Sequence, residues 1–235
     1  ELLDKTDLWI ISRLNNTIIN VNKAYDQYRL NEVVKLIYDF VWSDFCDWYI
    51  EFSKSRFYGV NEDSKDVARS VSVYVLKSIL KLLHPYTPFI TEELWSKLNL
   101  QDQGMLITSS WPIAEKEKIR EDIENEIIII MDVISAIRTI KTNLNIKPGE
   151  KIFLIVRGTK TSTDILTNYL DYLQRLVKVE KITGGKSIKK PAQSATAVVH
   201  DMELFIPLAG LIDIDKERER LQNQIDDMQG RLNAV

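Results

Sequence analysis

The only cysteine of the chain lies in a fifteen-residue stretch, YDFVWSDFCDWYIEF (Tyr38 to Phe52), beside four acidic and seven aromatic residues. Asp44, Asp47 and Glu51 recur at helical spacing, and such carboxylates gain chemical significance when burial shifts their pKa values. The alternative is a solvated helix face opposite an aromatic one, which this composition favours. The neighbouring acids disfavour a thiolate at Cys46, so we expect Cys46 to be a small core residue.

Other residues with reactive side chains do not form a recognisable centre. His84 precedes a proline at a predicted helix end, and His200 lies in a predicted turn. One cysteine and two histidines cannot build the usual tetrahedral zinc site without carboxylates. The pair Gly184-Gly185 leads into a basic run rather than a helix, which argues against a phosphate loop. The sequence therefore predicts no catalytic residue and no metal site.

The composition indicates the compartment and the class of protein. A lone cysteine excludes an internal disulfide and fits the reducing cytosol, so we predict a cytoplasmic location. No apolar run approaches the roughly 18 residues that a membrane helix needs, and no signal peptide is present. The chain begins without an initiator methionine, so we expect it to be part of a longer protein.

Apolar residues at steps of three and four predict five helices in the first part of the chain. One stripe, for example, runs through Ile11, Leu14, Ile18 and Val21. The predicted helices span residues 4–28, 30–56, 63–83, 87–98 and 114–144.

The periodicity changes after residue 146, where Lys147-Pro148-Gly149 signals a turn. Branched residues predict strands at 152–156, 177–182, 196–199 and 203–207, with a helix at 162–176 and a hairpin turn at 200–202. A heptad seam then follows, formed by Leu211, Ile214, Arg218, Leu221, Ile225, Met228 and Leu232. We therefore predict a mainly α fold with a helical bundle (1–145), a small α/β subdomain (146–210) and the start of a coiled coil (211–235).

The net charge of −3 conceals an uneven distribution. Residues 138–160 and residues 175–190 each contain six basic residues and one acid, whereas residues 1–52 contain nine acids and five bases. An anionic partner would therefore bind the later part of the chain in preference to the first helices.

Four motifs that occur in order along the chain together indicate a family. They are DLWIISRLN (7–15), YDFVWSDFCDWYIEFSK (38–54), LLHPYTPFITEELW (82–95) and SSWP (109–112). Together with IRTIKTNLNIKPGEKI (137–152) and LFIPLAGLIDIDKERERL (204–221), they resemble the anticodon-binding region and C-terminal part of valyl-tRNA synthetase, a class I enzyme. The resemblance covers essentially the whole chain.

The resemblance implies a helical bundle that grips the anticodon stem and loop of tRNA-Val, and a coiled-coil arm that touches the tRNA elbow. It also implies a parent ligase that uses ATP and Mg to attach valine to its tRNA. The HIGH-like and KMSKS-like signatures of the catalytic domain do not occur in these residues. We expect this chain alone to be non-catalytic and to hold no cofactor, with the catalytic domain of the parent chain as a partner.

The family motif places an RNA-binding arginine in the first helix, here Arg13, and an aromatic residue before the second helix. The corresponding segment here contains Tyr28, Arg29, Leu30 and Asn31. The family commonly carries phenylalanine where this chain has Leu30, which offers apolar contact instead of base stacking. Tyr28 is either a replacement stacking surface or a core residue.

Two further groups complete the predicted RNA contacts. In the family Thr91 and Glu92 lie near the same end and could accept hydrogen bonds from base amino groups, or they could simply cap a helix. The candidate basic stripe, which could equally be ordinary solvated surface, consists of Arg138, Lys141, Lys147 and Lys151.

Two alternatives stay open at the level of sequence. The heptad seam could make the chain a helical protein-interaction module that pairs with another helix. The chain could also be the equivalent domain of isoleucyl-tRNA synthetase, although that enzyme commonly ends in a cysteine-rich metal-binding piece. The segment PLAGLIDIDKE (207–217) favours the valyl enzyme.

Overall fold

The computed structural model of the chain describes residues 3–98, 104–212, 218–220, 222–223, 225–226 and 228–229. The chain divides into two compact units, Glu1–Ile127 and Ile128–Val235. The first is helical and the second combines helices with a four-stranded sheet, which confirms the predicted fold class. The division falls upstream of the predicted boundary at residue 145, and the three-domain organisation stays a prediction.

The five helical segments predicted for the first part of the chain are present. The α-helices of the described residues are α1 (Lys5–Asp26), α2 (Leu30–Asp39), α3 (Ile50–Phe57), α4 (Glu62–Leu83), α5 (Pro88–Lys97), α6 (Glu121–Asn143), α7 (Lys160–Asn168) and α8 (Leu170–Val177). Short 3₁₀ turns occur at Leu106–Thr108 and Lys116–Lys118.

The second predicted helix, 30–56, is continuous, but its middle is a π-helical segment, Phe40–Tyr49, between α2 and α3. In a π-helix each backbone hydrogen bond spans five residues instead of the four of an α-helix, which widens each turn. The buried face therefore drifts away from the α-helical period. Asp44 is turned into the core as a result, and Cys46 becomes exposed. The predictions that Asp44 is solvated and that Cys46 is a core residue are therefore wrong.

The fifth predicted helix begins later than expected. Side chains of α1 hold the preceding backbone in place: Asn15 Oδ1 accepts from the Glu115 amide (2.7 Å) and Ser12 Oγ accepts from the Arg120 amide (2.8 Å). In a helix that began at residue 114, the Arg120 amide would donate to the Lys116 carbonyl, but it donates to Ser12 Oγ instead. The helical pattern therefore starts at Glu121 instead of residue 114.

The bundle is fastened near the start of α1 by the fully buried carboxylate of Asp7. Asp7 Oδ2 accepts from the Asp4 amide (3.0 Å), which completes a capping box, and from Arg56 Nη1 (2.7 Å). Its Oδ1 accepts from the Tyr49 hydroxyl (2.8 Å). Burial and the adjacent Asp7 raise the pKa of Tyr49, so the hydroxyl keeps the proton that it donates. One carboxylate thus ties α1 to both the π-helical segment and α3.

Aliphatic and aromatic side chains fill the rest of the bundle. Trp9 packs edge-on against Phe52, with ring centroids 6.2 Å apart. The largest fully buried side chains of this unit are Trp9, Ile10, Leu14, Ile37, Phe40, Tyr49, Phe52, Leu82 and Ile127. Each contributes on the order of 1.5–3 kcal/mol through burial.

The second unit contains the predicted sheet. Its strands are β1 (Ile152–Arg157), β2 (Val179–Gly184), β3 (Ser194–Val199) and β4 (Met202–Pro207), in the order β2-β1-β4-β3. β1 runs parallel to β2 and antiparallel to β4, and β3 and β4 form a hairpin. His200 adopts the left-handed conformation (φ 51°) in the hairpin turn, as expected for a tight reversal. β2 and β3 are the edges of the sheet.

Only part of the predicted heptad seam can be compared with the structure. Arg218, Ile225 and Met228 lie in helical backbone and are exposed. Leu211 precedes this stretch, and Ile214, Leu221 and Leu232 lie outside the described residues. The coiled-coil arm therefore stays a prediction.

Replacing Arg56 should show how much the buried Asp7 carboxylate depends on its cation. Arg56→Met is expected to lower the free energy of unfolding by about 3–5 kcal/mol, because it leaves a buried charge without its partner. Lys54→Met, on the same helix, removes only the exposed pair with Glu51 and should cost about 0–1 kcal/mol. Urea unfolding followed by circular dichroism measures both; equal losses would contradict the role given to Asp7.

Candidate nucleic-acid interface

The turn between α1 and α2 presents the predicted segment Tyr28, Arg29, Leu30 and Asn31 at one end of the bundle. Tyr28 has a left-handed backbone (φ 55°) and its side chain is 90% exposed, so the interpretation as a core residue is wrong. Leu30 is 53% exposed, and Arg29 forms an ion pair with Glu32. The turn therefore offers an aromatic ring and an apolar side chain to the solvent.

The α4–α5 turn lies at the same end, because both turns adjoin the same aromatic residues. Trp111 packs edge-on against Tyr25 of α1 (5.7 Å between centroids), and its indole N–H donates to Asn22 (2.8 Å). Burial raises the pKa of Tyr25, and the adjacent Tyr86 of the α4–α5 turn adds to the shift. This end of the bundle thus has a packed aromatic interior beneath its exposed residues.

Phe89 is the most exposed aromatic residue of this end, at 91%, and the sequence analysis did not single it out. It lies in the first turn of α5 directly after Pro88, which pre-organises a helix start. The signal that could have identified it is a phenylalanine in the first turn, before the buried face of the helix begins. Tyr28, Leu30 and Phe89 together are called the aromatic end below.

Thr91 and Glu92 bind protein groups instead of facing outward. Thr91 is buried; its hydroxyl donates to the Thr87 carbonyl (2.8 Å) and adjoins His84 Nδ1 (2.8 Å). Glu92 accepts from the amides of Leu106 (2.7 Å) and Ile107 (3.2 Å). The capping alternative describes Glu92, which holds the short 3₁₀ turn at 106–108. Because Thr91 is buried, the expectation that it contacts a base is wrong, whereas a contact of Glu92 with RNA stays a prediction.

Arg13 lies away from the aromatic end, in a partly buried polar cluster between α1 and its neighbours. Its Nε donates to Asp44 Oδ2 (2.9 Å) and its Nη1 to Glu124 Oε2 (3.3 Å). Glu124 also accepts from Ser12 and from Asn16 Nδ2 (2.8 Å). At 1.5 Å per residue, Arg13 is roughly 20 Å along the helix from the end of α1, so the structure does not bring it together with Tyr28.

The predicted basic stripe lies in the second unit and has three exposed members. Arg138, Lys147 and Lys151 are exposed, and Lys151 pairs with Glu180 (3.1 Å). Lys141 is only 5% exposed, and its ammonium donates to the carbonyls of Glu150 (2.6 Å) and Pro148 (3.3 Å). The prediction that Lys141 is a surface cation is therefore wrong, because this side chain holds the turn after α6.

Neither a metal centre nor a membrane span was detected among the described residues. No group of three His, Cys, Asp or Glu side chains there could hold a metal ion. No described helix has the length and apolar character required to cross a bilayer. In the first unit, the aromatic end exposes two nearly complete aromatic rings and an apolar side chain.

Comparison with known families is consistent with this geometry. Residues 7–156 match the family described as the anticodon-binding domain of tRNA ligase. The chain belongs to this family. The matched range includes Arg13 and all three residues of the aromatic end.

Similar proteins extend the resemblance beyond the family domain. The chain is 38% identical over 221 residues to the valine–tRNA ligase of Enterococcus faecalis, covering 94% of this chain and 25% of that protein. It is 38% identical to the enzyme of Geobacillus kaustophilus (94% and 25%) and 36% identical to that of Bacillus subtilis (97% and 26%). The predicted resemblance to valyl-tRNA synthetase is confirmed, and the chain spans about a quarter of the length of these relatives.

Asp44 should give the stability of this anticodon-binding domain a characteristic pH dependence. Burial raises the pKa of Asp44 above the ordinary 3.8, and Arg13 opposes only part of the shift. At pH values between the pKa of Asp44 in the unfolded state and its higher pKa in the folded state, the folded state binds more protons than the unfolded state. The free energy of unfolding therefore falls as pH rises through this range. The free energy of unfolding of the wild type, minus that of Asp44→Asn, should therefore decrease from pH 3.8 upward.

Asp122 provides a control of opposite sign, because a hydrogen bond from Arg120 lowers the pKa of this exposed carboxyl. The difference between the wild type and Asp122→Asn should rise with pH below 3.8. Urea unfolding at half-unit pH steps measures both differences. A difference for Asp44→Asn that stays constant or increases above pH 3.8 would contradict the burial of its charge.

Removing the Glu92 carboxylate should release the 106–108 turn. Glu92→Ala deprives two backbone amides of their acceptor, a loss of about 1–3 kcal/mol. Hydrogen exchange at Leu106 and Ile107 should then become about 5- to 150-fold faster. Glu93→Ala is the matched control, because Glu93 pairs only with Lys97 on the surface; equal acceleration in both variants would contradict the assignment.

Proposed function

We propose that this chain is the tRNA-recognition part of a valine–tRNA ligase, which binds the anticodon stem and loop of tRNA-Val. The observation that carries the proposal is the extent of the similarity: 94–97% of the chain aligns with valine–tRNA ligases, while the family domain ends at residue 156. The complete ligase would attach valine to its tRNA with ATP and Mg. In this proposal the chain supplies recognition, and the catalytic domain of the parent chain supplies the chemistry.

The aromatic end supports a role in reading unpaired bases. The bases of an RNA loop can stack on aromatic side chains, and each stack contributes about 1–3 kcal/mol. Tyr28 and Phe89 expose nearly their entire rings, although burial of such rings is ordinarily favourable. Leu30 lies beside Tyr28 and offers an apolar contact where the family commonly has phenylalanine.

The predicted RNA contacts outside the aromatic end include residues that are exposed and residues that already bind protein groups. Arg29, Asn31, Arg138, Lys147 and Lys151 are exposed and can reach phosphates. Arg13 is already bound by two carboxylates, so in this proposal it positions α1 against its neighbours. Thr91, Glu92 and Lys141 are assigned to the support of the fold.

Two alternative functions have less support. The relatives named above are valine–tRNA ligases, which favours the valyl enzyme over the isoleucyl one. The protein-interaction alternative depends on a heptad seam of which Ile214, Leu221 and Leu232 lie outside the described residues. A cytoplasmic location follows from the proposed role in translation.

A binding experiment tests the proposal. Valine codons fix the second and third anticodon bases as A and C, so affinity for a tRNA-Val transcript should exceed affinity for the same transcript with these two bases exchanged. Tyr28→Ala and Phe89→Ala should each weaken binding about 5- to 150-fold, the equivalent of one stacked base. Fluorescence anisotropy at low salt measures the affinities.

Tyr58→Ala is the matched control. Tyr58 is an equally exposed tyrosine next to α3, near Arg56 and therefore at the opposite end of the bundle from Tyr28. Its replacement should leave the affinity unchanged. Equal affinity of the wild type for both transcripts, or equally weakened binding by Tyr28→Ala and Tyr58→Ala, would rule out the proposed recognition surface.

A further inference from the structure

The second unit contains a basic segment, residues 175–190, that the proposed recognition surface does not use. It holds six basic residues and a single acid, Glu180. That acid already forms an ion pair outside the segment, with Lys151 (3.1 Å). The segment therefore has a surplus of positive charge that its own carboxylate does not neutralise.

Five lysines of this segment are exposed, and they occur within thirteen consecutive residues. One ends α8 in a left-handed conformation, one lies in β2, and three lie in the loop that leads to β3. In chain order they are Lys178, Lys181, Lys186, Lys189 and Lys190. None of the five forms an ion pair with a described residue. They are called the edge lysines below.

Several lysines of the first unit, in contrast, are paired with carboxylates. Lys5 pairs with Glu126 (2.9 Å), Lys54 with Glu51 (2.5 Å) and Lys97 with Glu93 (2.9 Å). Those pairs make the local surface nearly neutral. The edge lysines, in contrast, concentrate charge of one sign, which attracts an anionic partner and costs electrostatic energy without one.

One of the edge lysines also lies close to a buried lysine of the same unit. Lys141 is buried in the same unit, and its pKa is lowered by burial, with a further contribution from the positive charge of Lys178. The nearby Glu150 opposes that shift only in part. Lys178 therefore lies near another positive charge of the second unit.

Protection of a sheet edge is the simplest alternative explanation. β2 is an edge strand, and lysine on an edge strand discourages pairing with a second chain. This accounts for Lys181, which lies within β2. It does not account for Lys186, Lys189 and Lys190, which follow the strand, beyond Gly184-Gly185.

We propose that the edge lysines form a second RNA-binding surface, which contacts the phosphodiester backbone of the tRNA. The proposal rests on the proposed function for the identity of the partner. The matched family domain ends at residue 156, before the first of these lysines, so the family assignment gives this surface no role. Lysine ammonium groups bind phosphates without reading bases, so the surface adds affinity and orientation but no anticodon preference.

The salt dependence of binding tests this surface directly. The triple variant Lys181→Gln, Lys186→Gln and Lys189→Gln removes three edge lysines while keeping polar side chains. The slope of log affinity against log salt should become shallower by roughly 0.7 for each phosphate that the variant no longer binds. The affinity should fall by the same factor for the tRNA-Val transcript and for the transcript with exchanged anticodon bases.

The matched control is Lys5→Gln, Lys54→Gln and Lys97→Gln, which removes the same number of positive charges from ion-paired positions. Its slope should equal that of the wild type. Circular dichroism and sedimentation verify that both triple variants are folded and have an unchanged association state.

The possible results separate this proposal from the proposed function. A triple edge variant with the wild-type slope, in a protein that still discriminates between the transcripts, overturns the edge surface alone. A shallower slope in a protein that never discriminates supports the edge surface and overturns the anticodon proposal. Aggregation of the edge variant with an unchanged slope assigns the lysines to edge protection. Binding of anionic lipid vesicles but of neither transcript overturns both proposals.

Discussion

The arrangement of the bundle depends on buried carboxylates that project from or toward α1. Asp7 is fully buried and accepts from a backbone amide, a tyrosine hydroxyl and a guanidinium. Glu124 is held by Ser12, Arg13 and Asn16. A charge withdrawn from water is tolerated only when its hydrogen bonds are complete, so each carboxylate requires that several helices occupy one relative position. Apolar packing supplies most of the stabilisation, and these groups select one arrangement among those that would bury similar area.

This polar framework also accounts for several charged residues of the first unit that bind protein groups instead of a ligand. Arg13, Arg56, Glu92 and Asp44 are conspicuous in the sequence because polar residues in apolar surroundings often belong to a site. In the structure each has protein partners that account for its presence. The remaining exposed groups at the aromatic end are mainly apolar. Recognition there would rest on rings and shape, while charge is concentrated in the second unit.

The regular elements could be predicted from the sequence because they are determined locally. The stripe through α1 and the branched residues of β1 located these elements to within a few residues. The face of the segment around Phe40–Tyr49 could not be predicted, since an α-helical period was assumed where the helix is π-helical. Lys141 was misassigned because its carbonyl partners come from a turn whose path is a tertiary property. Phe89 was overlooked because its position in the first turn of α5, before the buried face of the helix begins, was not weighed.

The backbone of Tyr28 carries an implication for protein engineering. A left-handed conformation costs roughly 1–2 kcal/mol for a residue with a Cβ atom, and glycine avoids that cost. An optimisation guided only by thermal tolerance would therefore install glycine or asparagine at this turn. The redesigned domain would melt at a higher temperature and would no longer carry one of its most accessible aromatic rings.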